Sequence, residues 1–299
     1  MKKDRGDGGR SKTSTRTLFD RRRFVLFGGA ALGAMGAAPA FAEDSPLAPE
    51  IKKIKDRGRL IVALTSFDSP PFYYPRGQAE GDKPPQLDGC DIQIARDIAT
   101  ALDVEVVLNR QPSNFNKVVE SVEEGQADIG ISKLSLTAKR ATIVRFSQPS
   151  IVLRHALLAN RIALARLAKG REVQTVLTRG FPGTIGVIAD SSFADTAKAL
   201  FNKASIKELN SWDAVVDAVN RGVVDIGYRD ELEIKRIMLL RPELHLNVRS
   251  VLISDKRDSI ALALPWRSEQ LASLVNVILG QRKKIDANQL LDEYADMFG

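Results

Sequence analysis

Short apolar runs alternate with amphipathic stretches along most of the chain, an order typical of parallel α/β units. In the first half, strands and helices are predicted in turn at 59–65, 90–102, 104–109, 114–124 and 127–132. The helix at 90–102 has the clearest pattern, because it places apolar residues on a single face: Ile92, Ala95, Ile98, Ala99 and Leu102.

The second half predicts the same order again. Its strands and helices are expected at 184–189, from Ser191 or Ser192 to Lys203, at 205–210, from Trp212 to Arg221 and at 223–228. Further strands at 245–253 and 259–265 precede two C-terminal helices, Ser268–Lys284 and Asp286–Phe298. Between the halves, 160–183 carries five basic residues and no strand period, and we interpret it as a helical or irregular insertion.

Two eighteen-residue stretches, which begin at Phe115 and Trp212, share seven positions at an offset of 97 residues. Each stretch ends in a predicted strand that carries "DIG". Because ligands bind beyond the carboxyl ends of strands in open parallel sheets, the loop after each strand should face a ligand. At the same offset, Lys133 corresponds to Asp230. We therefore expect these two side chains on opposite sides of one cleft.

The first 42 residues are typical of an export signal. Arg21, Arg22 and Phe24 resemble a twin-arginine signature, and an A-x-A site predicts cleavage after Ala42. These residues hold nine basic and three acidic side chains, which leaves 35 basic and 34 acidic residues in the rest of the chain. A nearly neutral protein lacks the basic surface that nucleic-acid binding requires. We expect a soluble periplasmic protein, and the alternative is a permanent membrane anchor.

The 257 residues after the signal are enough for two domains of ordinary size. Cys90 is the only cysteine, so no intrachain disulfide is possible. We expect it to be buried as a small apolar residue. With two histidines and no cysteine pair, the spacing predicts no zinc site, and we expect no metal and no cofactor.

Six motifs, in order, resemble the type II periplasmic solute-binding proteins that capture amino acids for ABC transporters, bacterial extracellular solute-binding protein family 3. They are "GRLIVALTSFDSPPFYY", "LDGCDIQIARDIATAL", "ADIGISKLSLTAKRATIVRFSQP", "GTIGVIADSS", "RGVVDIGYRD" and "LLDEYADMFG". The resemblance runs from about Gly58 to Gly299.

This resemblance implies a two-lobed α/β fold in which each lobe is a mostly parallel sheet flanked by helices. The first lobe would comprise 43–153 plus 259–299 and the second 154–258, with two crossover strands as hinges. The implied function is a monomeric receptor that encloses an amino acid or similar small carboxylate and delivers it to an ABC permease.

The motifs also imply roles for individual residues. Arg140 falls where the family holds the ligand's α-carboxylate, and a planar guanidinium suits that group; without the motif it would be a solvated arginine. Ser135 would lie beside it. Ser191 or Ser192 would bind the carboxylate at a helix N-terminus, although Ser191 could equally serve as a helix cap. Asp230 matches the family's acid for the α-ammonium, with an N-cap as the alternative.

Two departures from the family bear on ligand choice. Where the family has an aromatic residue before Pro-Pro-Phe, this chain has Ser69, and Phe67 and Phe115 are our candidates for the missing ring, with a core position as the alternative. Lys133 stands where the family usually has Gly or Ser. It could be exposed, pair with Asp230, or bind an acidic group of the ligand. If it neutralises Asp230, an organic acid without an α-amine becomes a credible ligand.

The competing function is a periplasmic enzyme on the same fold that resembles cyclohexadienyl dehydratase. Such an enzyme needs a general acid or base in the cleft, and Asp230 could serve. The motifs place no second carboxylate or histidine beside Asp230, and His155 lies on a presumed hinge. We therefore favour a receptor over an enzyme.

Overall fold

The computed structural model describes residues 47–77, 86–171, 176 and 180–297. The predicted signal peptide and its cleavage site lie outside these residues. A first sheet has the order β4-β1-β5-β12-β6. Its strands are β1 (Arg59–Ala63), β4 (Glu105–Asn109), β5 (Ile129–Gly130), β6 (Val144–Phe146) and β12 (Ala263–Pro265). β1 pairs in parallel with β4 and β5, whereas β12 is antiparallel to β5 and β6.

Helices cover this sheet, and together they form the first lobe. They are α1 (Pro49–Arg57), α2 (Cys90–Leu102), α3 (Phe115–Glu123), α4 (Ala138–Ala141), α9 (Glu269–Gln281) and α10 (Ala287–Glu293). The C-terminal helix α9 packs against α2, with Leu271 and Val275 in the same buried cluster as Ile98. A short hairpin of β2 (Tyr74–Arg76) and β3 (Gln86–Asp88) lies beside α2.

A second sheet forms the second lobe and has the order β11-β7-β10-β8-β9. Its strands are β7 (Ile151–Asn160), β8 (Thr184–Ile188), β9 (Ser205–Leu209), β10 (Ile226–Asp230) and β11 (Val248–Ile260). Its helices are α5 (Arg161–Ala168), α6 (Ser192–Leu200), α7 (Trp212–Asn220) and α8 (Glu231–Leu240). The strands β8, β9 and β10 run in parallel, and β7 is antiparallel to β10 and β11.

The chain passes between the sheets twice, along β7 and β11. These strands pair antiparallel from Ile151 opposite Ile260 to Asn160 opposite Val248, with an irregularity between Ile253 and Arg257. The predicted α/β fold with two lobes and two crossovers is confirmed. The predicted domain boundaries fall inside these two long strands and stay a prediction.

Most elements lie where the periodicity places them, and the differences are largest in the strands. Where a strand was predicted at 127–132, the structure has the two-residue strand Ile129–Gly130. Where one was predicted at 223–228, the strand is Ile226–Asp230. The two strands predicted at 245–253 and 259–265 are instead one thirteen-residue strand, β11, and the short β12. We interpreted 160–183 as a helical or irregular insertion; α5 is helical, whereas 172–175 and 177–179 lie outside the described residues.

The longest described helices, α2 and α9, have thirteen residues each. Within the described ranges, no helix combines the length and the apolar composition that a bilayer crossing requires.

Candidate ligand-binding site

The candidate site lies where the carboxyl ends of β5 and β10 face each other across the lobes. A cavity of about 10 Å³ remains between them. Its walls come from both lobes: Phe115, Lys133, Ser135, Arg140, Ser192, Phe193, Arg229, Asp230 and Asp258. Such a space suits about one water molecule, so a larger ligand requires the lobes to separate.

A larger cavity of about 730 Å³ opens beside Cys90, Arg282 and Leu290. None of the predicted site residues lines it. Cys90 is half-buried there at the edge of an apolar cluster, less enclosed than we expected. We place the candidate site at the small cavity, because the predicted polar groups converge on that cavity.

Lys133 bridges the two lobes. Its Nζ lies 2.9 Å from Asp230 Oδ2 and donates a hydrogen bond of 2.7 Å to Glu233 Oε1. The side chain is 2% exposed, and the ring centroid of Phe72 lies 5.1 Å from Nζ. The structure shows the pairing of Lys133 with Asp230 and not surface exposure, and a role of Lys133 in binding an acidic group of the ligand stays a prediction.

The carboxylates that receive Lys133 are themselves fixed by the second lobe. Asp230 is the N-cap of α8, and its Oδ1 accepts a hydrogen bond of 3.1 Å from the backbone N–H of Glu233. Glu233 also accepts a hydrogen bond from Arg236 Nε at 3.1 Å. Burial acts to raise the pKa of Glu233, but the charges of Lys133 and Arg236 outweigh it and hold the pKa well below its ordinary value.

Arg140 reaches the cavity from α4, whose N-cap is Thr137. Its Nη1 donates to the carbonyl of Ser135 at 3.0 Å, and its Nε and Nη2 donate to Asn116 Oδ1 at 3.2 and 3.0 Å. Burial lowers the pKa of Arg140 to about 10, so the guanidinium remains protonated at neutral pH. Three of its five N–H groups are used in these contacts, which leaves two for a ligand.

A chain of hydroxyl groups joins the lobes beside Arg140. Ser192 Oγ donates to Ser135 Oγ at 2.8 Å, and Ser135 Oγ donates to Asp258 Oδ2 at 3.1 Å. Ser191 instead caps α6: its Oγ accepts from Ala194 N–H at 3.2 Å and donates to the carbonyl of Ile188. Of the two predicted serines, Ser192 is therefore the one on the cavity wall.

Arg229 is the third cation of the site. Its guanidinium carbon lies 5.6 Å from the ring centroid of Phe115 and 5.4 Å from that of Phe193, so the group is held between two aromatic rings. Its Nε is buried without a hydrogen-bond partner, 3.7 Å from Asp230 Oδ2. Phe67 packs edge-on against Phe115 with ring centroids 5.5 Å apart and remains 40% exposed.

Asp258 supplies a carboxylate that we did not expect at this site. Burial, together with the charge of Asp230, raises its pKa to about 6, against the hydrogen bond from Ser135 and the charges of Lys133 and Arg229. The motifs place no second carboxylate beside Asp230, but the fold does, because β11 carries Asp258 into the same cavity. His155 lies opposite Asp230 on β7, but its ring contacts Tyr228 and Phe193.

Of the eight predicted site residues, the structure brings six to one cavity: Phe115, Lys133, Ser135, Arg140, Ser192 and Asp230. Phe67 packs against the outer side of Phe115, and Ser191 is the N-cap of α6, directly before Ser192. Sequence reasoning missed Asp258, Arg229, Phe193 and Asn116. For Arg229 a signal existed, because it directly precedes Asp230 at the end of the repeated stretch.

The family model of bacterial extracellular solute-binding proteins, family 3, matches residues 61–174. An amino acid ABC transporter substrate-binding protein, AbpA from Streptococcus pneumoniae bound to L-arginine, is 27% identical with a TM-score of 0.65. The similarity covers 83% of this chain and 97% of that chain. The resemblance seen in the sequence is confirmed.

Two further solved structures share the solute-binding fold. The ancestral amino acid-binding protein AncCDT-1, a precursor of cyclohexadienyl dehydratase, is 22% identical with a TM-score of 0.62, covering 83% of this chain and 99% of that chain. A putative ABC transporter binding component from Wolinella succinogenes, complexed with lysine, is 22% identical with a TM-score of 0.62, covering 79% and 95%. No curated protein sequence matches the chain.

Proposed function

We propose that this protein is an exported receptor that encloses one small carboxylate between its lobes and delivers it to an ABC permease. The observation that carries the proposal is Arg140, a buried guanidinium with two unused N–H groups on a cavity shared by both lobes. Ser135 and Ser192 supply hydroxyl groups beside it, and Phe115 supplies an aromatic wall against which Phe67 packs. Ser191 contributes by holding the N-terminus of α6.

Closure is the proposed working motion. A ligand shifts the equilibrium between open and closed lobes only if it contacts both lobes in the closed form. Arg140 lies on the first lobe and Ser192 on the second, so a carboxylate between them meets this condition. The hinge would be the paired strands β7 and β11, with the first lobe at 43–153 plus 259–299 and the second at 154–258. The receptor would act as a periplasmic monomer after cleavage at Ala42.

The proposed ligand differs in charge from the ligands of two solved relatives. AbpA is bound to L-arginine and the Wolinella succinogenes protein to lysine. The cavity here already holds three cationic side chains, Lys133, Arg140 and Arg229, among its described walls. A cationic ligand would add a like charge in a desolvated space, which is costly. We therefore propose a carboxylate and not a cationic amino acid.

The test is a thermal-shift screen of the purified protein against amino acids, polyamines and small organic acids, followed by calorimetry. A ligand that binds only the folded form raises the apparent stability. We expect a carboxylate to be the hit and polyamines to have no effect. A raised melting temperature with polyamines alone would contradict the proposal.

Arg140 provides a matched pair of variants. Charge-assisted hydrogen bonds contribute about 1.5–3 kcal/mol, so Arg140→Lys should weaken binding of the carboxylate by about 10- to 100-fold. Arg145→Lys is the control, since Arg145 pairs with Glu269 and does not line the cavity. Equal affinities of the two variants, measured by calorimetry, would remove the role of Arg140. Loss of uptake of the same ligand by cells that lack the protein would test delivery.

A periplasmic enzyme is the second candidate, and Asp258 is the observation that favours it. A carboxyl group with a pKa near 6 beside the carboxylate of Asp230 has the protonation range of a general acid. Incubation with prephenate separates the two candidates, because an enzyme consumes it and a receptor does not. If turnover occurs, Asp258→Asn should abolish it.

A further inference from the structure

The ammonium of Lys133 lies against Asp230, the carboxylate to which the sequence motifs assign the α-ammonium of a ligand. It lies between Asp230 Oδ2 at 2.9 Å and Glu233 Oε1 at 2.7 Å, and all three side chains are at most 4% exposed. From this arrangement we propose that the ligand is a small organic carboxylate without an α-ammonium group. The inference rests on the proposed receptor function and specifies its class of ligand.

Lys133 is fixed at both ends. Its backbone has φ of 47°, a left-handed conformation that is unfavourable for lysine. The backbone N–H donates a hydrogen bond of 2.9 Å to Asp91 Oδ2, which holds that conformation. The side chain then passes the ring of Phe72 to reach the second lobe. Both the backbone and the ammonium are thus held in place, as expected for a permanent part of the site.

The charges around this ammonium balance without a ligand. Asp230 and Glu233 contribute two negative charges, and Lys133 and Arg236 contribute two positive charges at salt-bridge distance. An incoming α-ammonium would therefore find both carboxylates already at salt-bridge distance from a cation. It would also approach Lys133 at close range in a space from which water is excluded, where like charges repel strongly.

The remaining charges of the cavity favour an anion. Apart from the group around Lys133, the described walls carry the guanidinium groups of Arg140 and Arg229 and the single carboxylate of Asp258. The Nε of Arg229 is buried on the cavity wall without a hydrogen-bond partner, because Asp230 Oδ2 at 3.7 Å is within salt-bridge distance but beyond hydrogen-bond distance. A carboxylate would satisfy this donor and balance the excess positive charge. If the ligand has a second acidic group, one group could bind Arg140 and the other Arg229.

The test uses pairs of compounds that differ only in the α-amine: propionate and L-alanine, succinate and L-aspartate, glutarate and L-glutamate, 3-phenylpropionate and L-phenylalanine. Affinities of the wild-type protein are measured by calorimetry. In each pair that binds, we expect the amine-free compound to bind at least about tenfold more tightly, because the ammonium of the amino acid would leave a buried charge unbalanced. An amino acid that binds as tightly as its amine-free partner would overturn the inference while the receptor function stands.

Lys133→Gly tests the cause of the preference. Glycine tolerates the left-handed backbone. Removal of the lysine ammonium leaves Asp230 and Glu233 without that partner. We expect this variant to gain affinity for the amino acid of the pair, whereas Lys117→Met, which removes an exposed lysine on α3, should keep the wild-type preference. Lys133→Met serves the same purpose if the glycine variant fails to fold. An unchanged preference in the folded variant overturns the inference.

Absence of binding has a different meaning. If neither the wild type nor the Lys133 variants bind any member of these pairs, the proposed receptor function fails, and the inference falls with it. The two failures are therefore distinguishable in one set of titrations.

Discussion

Asp258 is the residue whose ionisation is most closely tied to the candidate site. It is 6% exposed, and burial raises its pKa from an ordinary value of 3.8 to about 6. The folded protein therefore binds this proton more tightly than the unfolded chain. The resulting stabilisation is fully present below about pH 4 and is lost as the pH rises through about 6.

We expect Asp258→Asn to gain stability relative to the wild type as the pH rises. Asparagine carries no charge to bury, so the difference in free energy of unfolding should grow between pH 4 and pH 7, by an upper limit of about 3 kcal/mol at neutral pH. Urea unfolding of both proteins at pH 4, 5, 6 and 7 measures this difference. Asp56→Asn, an exposed aspartate on α1, is the control and should show a flat difference. A flat difference for Asp258→Asn as well would contradict the burial argument.

At the level of residues, sequence reasoning succeeded where a motif carries the chemistry. Arg140 and Ser135 lie within one short motif, and the offset of 97 residues was enough to place Lys133 opposite Asp230. It failed where only tertiary contacts create the site. Ser135 and Asp258 are 123 residues apart and meet only because β11 returns beside the loop after β5.

At the level of elements, the repeated "DIG" motif has a packing explanation. In the first lobe, a Cβ on Gly130 would lie 3.0 Å from Val118 Cγ1 and 3.2 Å from Val122 Cγ2. In the second lobe, a Cβ on Gly227 would lie 2.9 Å from Val215 Cγ1. Each glycine thus lets a helix approach the strand whose end bears the site. These valines are among the shared positions of the repeat, so the repeated residues form the same close contact between helix and strand in both lobes.

We expect Gly227→Ala to lower the free energy of unfolding by about 1–3 kcal/mol, because the added methyl group overpacks the contact between β10 and α7. Gly280→Ala is the matched control, since its nearest neighbour would be at 3.6 Å and it lies within α9. There alanine should be neutral or should stabilise the helix by up to about 1 kcal/mol. Chemical denaturation measures both variants. Equal effects would show that the spacing at Gly227 does not limit the packing.

The strand β11 shows where periodicity cannot define an element. The two predicted strands, 245–253 and 259–265, lie on either side of the charged run 255–258, a composition typical of a loop. In the fold, β11 continues through that run because β7 supplies hydrogen-bonding partners on both sides of the irregularity after Ile253. By contrast, α2 and α7 were predicted closely, since their apolar faces pack on sheets within their own lobe. Asp258 was missed because it lies in this charged run, which only the pairing with β7 makes part of a strand.

At the level of the whole molecule, closure brings charged groups of both lobes together. The exposed pair Lys139–Asp195 links the lobes at 3.1 Å, and an exposed ion pair of this kind contributes at most about 1 kcal/mol. The contact of Lys133 with Asp230 and Glu233 differs because it is buried. A buried ion pair contributes little net stability, since desolvation offsets attraction, but removal of one partner leaves an uncompensated buried charge. The balance between open and closed lobes should therefore depend on Lys133 far more than on Lys139.

We expect Lys133→Met to favour the open form in the absence of ligand. In the closed form, Asp230 and Glu233 would keep only Arg229 at 3.7 Å and Arg236 at 3.0 Å as cationic partners, and the loss of the buried ammonium would cost up to about 3–5 kcal/mol, which opening relieves by hydration. Small-angle X-ray scattering should then report a larger radius of gyration for Lys133→Met than for the wild type, whereas Lys139→Met should scatter like the wild type. An amino acid that binds the variant should restore the smaller radius, because its ammonium replaces the missing one. Identical scattering by all three proteins would mean that Lys133 does not hold the lobes together.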